Sequence, residues 1–548
     1  MPRRILEDPG GSKEAGRDAA HNQGYYGERN MVGIRALKSV AIAALAAGLG
    51  GIGSCVSAPP AVAPPPKAFR IVYGANRHGE SDPCGCMVNQ LGGLDRLVNL
   101  LAAEDKALVG PRFFVDAGDA FFAAPQIPPS RRAAAVSKAR LIGEAYRLVR
   151  VDALNPGPRD LSAGLDLLRE LERVSGAAFV SANLVSAEGV PLFKPWTVLD
   201  RGGVRIGVTG IAHPEAIPAD SGVRALAWQE PLAKAIAELR ERRVDATVVL
   251  SGLGLAEDRR LEGVAGVALV VGSRSLDVLE QPVALGQTWI VQPQIQGQTV
   301  GVIDFPASER VGRLHRMVDL GKDWDGKNAV SELMARHRDS VREIALRESE
   351  SSTPAPGATA AAPFVAQPHA CRNCHRRQVD FWETTPHASA YLVLYAKKQH
   401  FDPECIGCHS LGFQEPGGFE AAGGGIILDG TAPKGRARRL ETLFAKVFAG
   451  SPGPLDSREQ PARYAKLKKR YHAELGRLYQ AGKIEKLYLG VQCEHCHGNR
   501  DGHPGGGSPA KVAEASCRKC HVPPHDNKFD FRAKVAKAGC PLSSEPAP

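Results

Sequence analysis

Four times between residues 371 and 521, two cysteines stand two residues apart with a histidine directly after the second. The copies are Cys371, Cys374 and His375; Cys405, Cys408 and His409; Cys493, Cys496 and His497; and Cys517, Cys520 and His521. With 12 Cys and 16 His in 548 residues, random placement yields roughly 0.008 copies of this pattern. The chemistry it serves is covalent haem attachment. Two thiols at this spacing reach the two vinyl groups on one edge of a haem as thioethers, and the adjacent His lies under the iron as its proximal ligand. Zinc ribbons also use C-x-x-C pairs but do not require a His after each. The expectation is four c-type haems.

The elements that must position these motifs are confined to residues 369–540, or roughly 43 residues per haem. So little chain predicts haems that form much of their own core and pack closely. Cys493 and Cys517 lie only 24 positions apart, which favours adjacent third and fourth haems. Helices are predicted over 438–448 and 463–487, the second dense in Lys and Arg, which reads as a solvated face or a docking surface for an acidic partner. The surrounding residues resemble the tetrahaem cytochrome c-554 family: Ala370 before the first motif; Phe381, Trp382, Pro386, His387 and Ala388 after it; Gly412, Phe413 and Phe419 after the second; Gly490 and Gln492 before the third, and Gly498 after it. The resemblance covers most of residues 369–530. It implies a mainly α multihaem domain that carries electrons. It further implies distal iron ligands at His387 and His503, with His472 and His525 as additional candidates, and one iron lacking a sixth protein ligand. His495, inside a C-x-x-C, reads as a bystander.

Upstream, short β-branched runs alternate with amphipathic helical patterns. Strands are predicted at 69–73, 112–115, 178–182, 204–209, 246–250 and 267–271, and helices at 93–104, 131–150, 165–174 and 230–242. Residues 289–292 and 299–304 read as a closing hairpin. The alternation implies an α/β sandwich. The segments around Asn76, His78 and Gly79, around Asp116, Gly118 and Asp119, and at Asn183 and Gly210 resemble the metallophosphoesterase domain of the 5'-nucleotidase family. That resemblance implies the four-layer calcineurin-like fold in degenerate form. A two-metal phosphoesterase needs a cluster of Asp, His and Asn with a His acid. Here Asn76 replaces the first Asp, Gly157, Pro158, Arg159 and Asp160 replace the Gly-Asn-His-Glu segment, and the later ligand histidines fall on Gly252, Ser273 and Ser275. His78 and Asp119 remain, and no catalytic residue is assigned. Cys84 and Cys86, close after His78, offer with it a soft site for zinc or copper(I). A disulfide with Cys540 or buried free thiols are the alternatives.

The net charge of +10 and pI of about 9.0 are spread without a nucleic-acid motif, which argues against nucleic acid as a partner and suits acidic redox partners or membrane faces. Residues 31–54 read as a signal peptide that ends at Cys55, resembling a lipobox whose cysteine carries the lipid anchor; an ordinary signal peptide is the alternative. The expected address is the periplasm or outer membrane of a Gram-negative bacterium. Residues 1–30 read as an extension ahead of the true start at Met31, 55–67 as a Pro/Ala linker, 68–325 as the phosphoesterase-like domain, 326–368 as a helix and second linker, and 369–540 as the tetrahaem domain. The expected function is electron transfer between a redox protein or quinol-linked donor and an acceptor. Reduction of a small nitrogen or sulfur oxyanion at an open haem, and phosphoester hydrolysis, are the rivals.

Overall fold

Buried β-branched runs alternate with amphipathic helices through the front part of the chain. In order these are β1 (Phe69–Gly74), β2 (Pro83–Cys84), β3 (Leu91–Gly92), α1 (Leu94–Lys106), β4 (Arg112–Asp116), α2 (Arg132–Val149), β5 (Ala153–Leu154), α3 (Leu165–Ser175), β6 (Ala178–Phe179), β7 (Leu184–Ser186) and β8 (Trp196–Arg201). There follow β9 (Val204–Ala212), β10 (Val223–Ala225), α4 (Gln229–Glu241), β11 (Ala246–Gly252), α5 (Leu255–Asp258), β12 (Leu269–Gly272), β13 (Val283–Leu285), β14 (Thr288–Val291), β15 (Thr299–Phe305), β16 (Leu314–Asp319) and α6 (Ala329–Ser351). The computed structural model describes residues 67–540 except 85–89, 107–109, 263, 276–277, 309–311, 352–363, 414, 416, 420–425, 428–435, 452, 454, 456–459, 499–511, 523–525 and 527–528.

Two six-stranded sheets form, in the orders β16-β15-β1-β4-β5-β6 and β13-β14-β12-β11-β9-β8. Their central strands run parallel; antiparallel partners close both edges of the second sheet, whereas the first is antiparallel at β15 and β16 and ends in the parallel strand β6. Strand β11 is buried at every position, as a parallel strand covered on both faces must be. Ile71, Tyr73, Val115, Val208, Val248 and Ile303 pack between the sheets. Leu97, Ile142 and Leu168 of α1–α3 cover the first sheet at Val72 and Phe114, and Leu232 and Ile236 of α4 cover the second at Val249 and Val270. The result is the four-layer α/β sandwich expected from the sequence.

Two features differ from expectation. Strands β14 and β15 do not form a hairpin: β14 pairs with β12 and β13 in the second sheet, whereas β15 pairs with β1 and β16 in the first. Helix α6, read as part of a connecting segment, places Val330, Leu333 and Met334 in the core beneath the first sheet. Burying such side chains stabilises by about 1.5–3 kcal/mol each.

The C-terminal part is helical: α7 (Pro368–Thr384), α8 (Ala390–Ala396), α9 (Pro403–His409), the short β17 (Ile426–Ile427), α10 (Arg436–Val447), α11 (Pro461–Gln480), the short β18 (Lys486–Leu487), α12 (Cys493–His497), α13 (Glu514–Arg518) and α14 (Phe531–Ala538). Helix α11 stops before the predicted end because Gly482 turns the chain at φ 65°. Contrary to the expectation of a core made largely of haem, this part has a polypeptide core of its own. Tyr391, Leu440, Phe444, Leu467, Tyr471, Leu475 and Tyr488 are buried together, with Phe444 and Tyr471 stacked at 5.7 Å. The long segment between the second and third motifs supplies α10 and α11, which build it.

The described residues form a single unit. Charged groups join its front and C-terminal parts. Lys138 of α2, its side chain 10% exposed, pairs with Asp402 at 3.1 Å and with Glu404. Arg342 of α6 holds the Glu441 carboxylate of α10 through two bonds of 2.9 and 3.2 Å. Arg131 lies over the Phe413 ring at 4.5 Å.

Candidate haem-binding site

Each C-x-x-C-H motif sits on or beside a helix, whose i, i+3, i+4 spacing brings the two thiols and the His towards one face. The first lies in α7, where the helix kinks at His375 (φ −119°, ψ 43°). The second is α9, started by Pro403 and capped by the Asp402 carboxylate, which accepts the Glu404 N–H at 3.0 Å. The third is α12, where the Gln492 N–H donates to His495 Nδ1 at 3.0 Å in a capping box. The fourth begins in α13 and ends in a turn closed by the His521 N–H to the Cys517 carbonyl at 2.9 Å.

The motifs meet in two pairs. The thiols of Cys371 and Cys493 are unbridged and lie within hydrogen-bonding reach of one another, as do those of Cys408 and Cys520, so first faces third and second faces fourth. The third and fourth also approach one another, with Cys517 close enough to Cys496 to raise its thiol pKa, after burial, to about 11. Two proximal histidines have their Nδ1 engaged by an oxygen. His409 Nδ1–H donates to the Ala390 carbonyl at 2.6 Å, and His521 Nδ1–H to Asp526 Oδ2 at 2.9 Å. Either bond fixes the tautomer that leaves Nε2 as the lone-pair donor for iron.

The distal candidates divide. His472, on α11 between Trp382 and Tyr471, has both ring nitrogens buried without a hydrogen-bond partner, and burial pushes its pKa down to about 4. A buried imidazole with two idle nitrogens is costly unless something absent from the polypeptide takes one. The site therefore fits an iron ligand. His387 lies 6.3 Å ring to ring from His521, at the fourth motif, and burial, then His521, depresses it to about 4. His503 and His525 lie outside the described residues. His495 uses both nitrogens within the fold, the second donating to the Ser410 carbonyl at 3.0 Å. Sequence reasoning missed Asp526, five residues after His521 and recognisable only as a carboxylate near a motif.

In the front part, the loops after the parallel strands gather at one crest. Asn155, after β5, donates to the Ile211 carbonyl at the end of β9, and the Asn76 Oδ1, after β1, accepts the Arg274 N–H after β12 at 3.1 Å. Asp160 accepts four backbone N–H groups, from Asp119, Ala120, Phe121 and Gly157, at 2.8–2.9 Å. It is a structural carboxylate that holds the loop bearing Asp119. His78 is half-buried, and burial, then the charge of Arg159, lowers its pKa to about 3. The side chain of Cys84 and all of Cys86 lie outside the described residues, so the zinc or copper grouping with His78 falls there too. Among the described residues no three His, Cys, Asp or Glu side chains are arranged to hold a metal ion. Cys540 is unbridged and lies close enough to Cys493 and Cys496 to influence both; its alternative pairing with Cys84 or Cys86 falls outside the described residues.

Residues 370–430 match the family model Cytochrome c554 and c-prime. Cytochrome c-554 of Nitrosomonas europaea is 26% identical over 188 residues, covering 31% of this chain and 70% of that protein. Solved structures similar to the chain include sulfate thiohydrolase SoxB of Thermus thermophilus (18% identity, TM-score 0.44, 54% of this chain and 63% of that one). They also include a 5'-nucleotidase precursor from the same species (20% identity, TM-score 0.44, 57% and 68%). A third is the calcineurin-like phosphoesterase YfkN of Bacillus subtilis (14%, TM-score 0.42, 50% and 98%). The chain thus spans less than two thirds of SoxB. The C-terminal part is cytochrome c-554-like, and c-type haem is the cofactor that likeness implies. Among the described residues no helix is long and apolar enough to cross a membrane.

Proposed function

We propose that the chain is an exported tetrahaem c-type cytochrome that transfers electrons in a respiratory or redox chain, with a front domain that does not hydrolyse phosphoesters. The observation that carries the reading is the set of four C-x-x-C-H motifs in two facing pairs, with the unpartnered imidazole of His472 beside the first. Each bound haem supplies a one-electron Fe(III)/Fe(II) couple. The chain's own residues do the rest. The eight cysteines would hold the haems by thioethers, and His375, His409, His497 and His521 would serve as proximal ligands; His472 and His387, with His503 and His525, would be the candidates for the distal side. Asp526 and the Ala390 carbonyl orient two of the proximal rings. Export and a lipid anchor at Cys55 place the cytochrome at a membrane face, where its donor and acceptor are a redox protein or a quinol-linked enzyme. Hydrolysis is set aside because Arg159 stands where a general acid is required and Asn76 where a metal-binding carboxylate is.

Visible spectra of the haem-loaded chain, oxidised, reduced, and reduced under carbon monoxide, test this reading. Reversible oxidation and reduction of all haems with no carbon monoxide shift supports an electron carrier. A carbon monoxide shift in one haem, together with turnover of nitrite or sulfite, would replace it with the reductase reading.

A further inference from the structure

A cleft of about 600 Å³, counted out to its mouth, lies where the front part meets the second haem motif. Both parts line it. The loop 121–128 contributes Phe121, Phe122 and Ile127, the first turn of α2 contributes Ala134 and Ala135, and α6 contributes Val341. The far wall is the segment 402–404, which opens α9 immediately before Cys405. A volume of this order, mostly apolar walls and a few placed polar groups are the features of a small-molecule site. Its position matters for electron transfer. The motif contacts run from first to third, third to fourth and fourth to second, so the second motif ends the row, and this is the end that the front part covers through Lys138.

The polar groups define the ligand. The charges lining the cleft balance, Lys138 and Arg131 against Asp402 and Glu404, so it selects no ion. Lys138 is committed to both carboxylates, and Asp402 Oδ1 accepts the Glu404 N–H. His337 is different. Its Nδ1 bonds the Ser137 hydroxyl at 3.1 Å, and its Nε2 has no bond among the described residues, although the ring lines the cleft. Burial, then the charge of Lys138, lowers its pKa to about 4, so the imidazole is neutral at pH 7 and can accept an O–H. Aromatic and aliphatic walls, no net charge and one neutral acceptor match a hydroxylated aromatic ring, whose face is apolar and whose O–H needs a partner. A small inorganic oxyanion would lose its hydration against such walls without gaining donors.

We propose that this cleft binds a hydroquinone, its ring between the loop 121–128 and Val341 and one hydroxyl on His337, beside the second haem motif. The inference rests on the electron-transfer reading and deepens it by naming the chemical class of a donor and the place where it docks. A hydroquinone that becomes its quinone gives up two electrons, one to each of two ferric haems, and two protons, which leave to solvent at the cleft mouth.

Titration calorimetry of the full haem-loaded chain, reduced beforehand with dithionite so that no electron moves, tests the site with 1,4-naphthohydroquinone. Saturable one-site binding is expected. It should weaken about tenfold or more in Ala134→Phe, which fills the cleft, and in His337→Leu, which removes the acceptor; 1,4-dimethoxynaphthalene, with no O–H, should bind the native chain about tenfold more weakly. Ala133→Phe, exposed on the same helix and outside the cleft, should leave affinity unchanged. Tighter binding of a menaquinol in phospholipid vesicles identifies a membrane-borne ligand, and tighter binding of the free naphthohydroquinone a soluble one. The proposal is overturned by no saturable binding, by unchanged affinity in both cleft variants, or by benzoate binding as tightly as the hydroquinone. Unchanged far-ultraviolet dichroism and Soret absorption in the variants separate a lost site from a lost fold. Reversible reduction by dithionite, which does not need the cleft, reports on the electron-carrier reading separately.

Discussion

Replacing Lys138 by methionine removes the cation that the front part inserts between Asp402 and Glu404, immediately before Cys405. Methionine keeps the stem, so packing along α2 is retained while the charge is lost. Glu80 belongs to the same buried cluster, and burial, then Glu404, already pushes its carboxyl up to about 8, with Lys138 opposing. Breaking a buried pair by removing one partner costs about 3–5 kcal/mol, because the other charges are left uncompensated. That shifts the equilibrium between joined and separated parts by roughly two to four orders of magnitude. The sign with pH follows. Without Lys138, Glu80 and Glu404, whose folded-state pKa values burial already raises above the unfolded ones, lose the cation that opposes that rise, so the variant loses stability as pH rises from about 4 towards 8. The deficit is therefore larger at pH 8 than at pH 5. Urea unfolding reads it with two probes: tryptophan emission, since four of the five tryptophans, Trp196, Trp228, Trp289 and Trp324, are in the front part, with Trp382 replaced by Phe to silence the C-terminal one, and Soret absorption for the C-terminal part. The two transitions should coincide in the native chain and separate in Lys138→Met, with partial recovery when Glu404→Gln is added. A loss under about 1 kcal/mol with transitions still coincident would refute the reasoning.

Three further outcomes are expected. In Asp160→Asn the amide can accept on one side only, so two of the four backbone N–H groups lose their acceptor, and denaturant titration should show a loss of at least about 2 kcal/mol. Glu441, bonded to His400 and Arg342, has its pKa lowered to about 2; its contribution is complete above the unfolded value and is lost as pH falls through the folded one. The stability of Glu441→Gln between pH 5 and 2 should accordingly fall less steeply than that of the native chain. Asp526→Asn weakens the acceptor on His521 Nδ1, reduces the basicity of the ring, and should raise the potential of one haem in a spectroelectrochemical titration while the others hold.

The haem motifs were legible in the sequence because thioether chemistry demands thiols and His within five residues, a local constraint that no tertiary context alters. The central strands were legible for a related reason: Val248, Val249 and Leu250 sit in a run covered on both faces. What failed depended on distance. Residues 289–292 and 299–304 have good strand composition, but composition does not say which of two stacked sheets each joins. Helix α6 is so rich in charge that its Val330, Leu333 and Met334 stripe was outweighed, although the i, i+3, i+4 spacing was there to read. The contact between Lys138 and Glu404 spans 266 positions and leaves no local signal. At the crest, the losses at Asn76 and Arg159 were visible, whereas the bond from the Arg274 N–H after β12 to Asn76 after β1 required the two sheets to be brought together.

The central claim is covalent attachment of haem at all four motifs. Intact mass spectrometry of the chain matured in a haem-loading host, under denaturing conditions that strip non-covalent groups, tests it most directly. The account predicts the mass of the mature polypeptide plus four haems, with a Cys517→Ala, Cys520→Ala variant carrying three. A native chain carrying fewer than four, or motifs that bind zinc and leave their thiols free to alkylation, would contradict it.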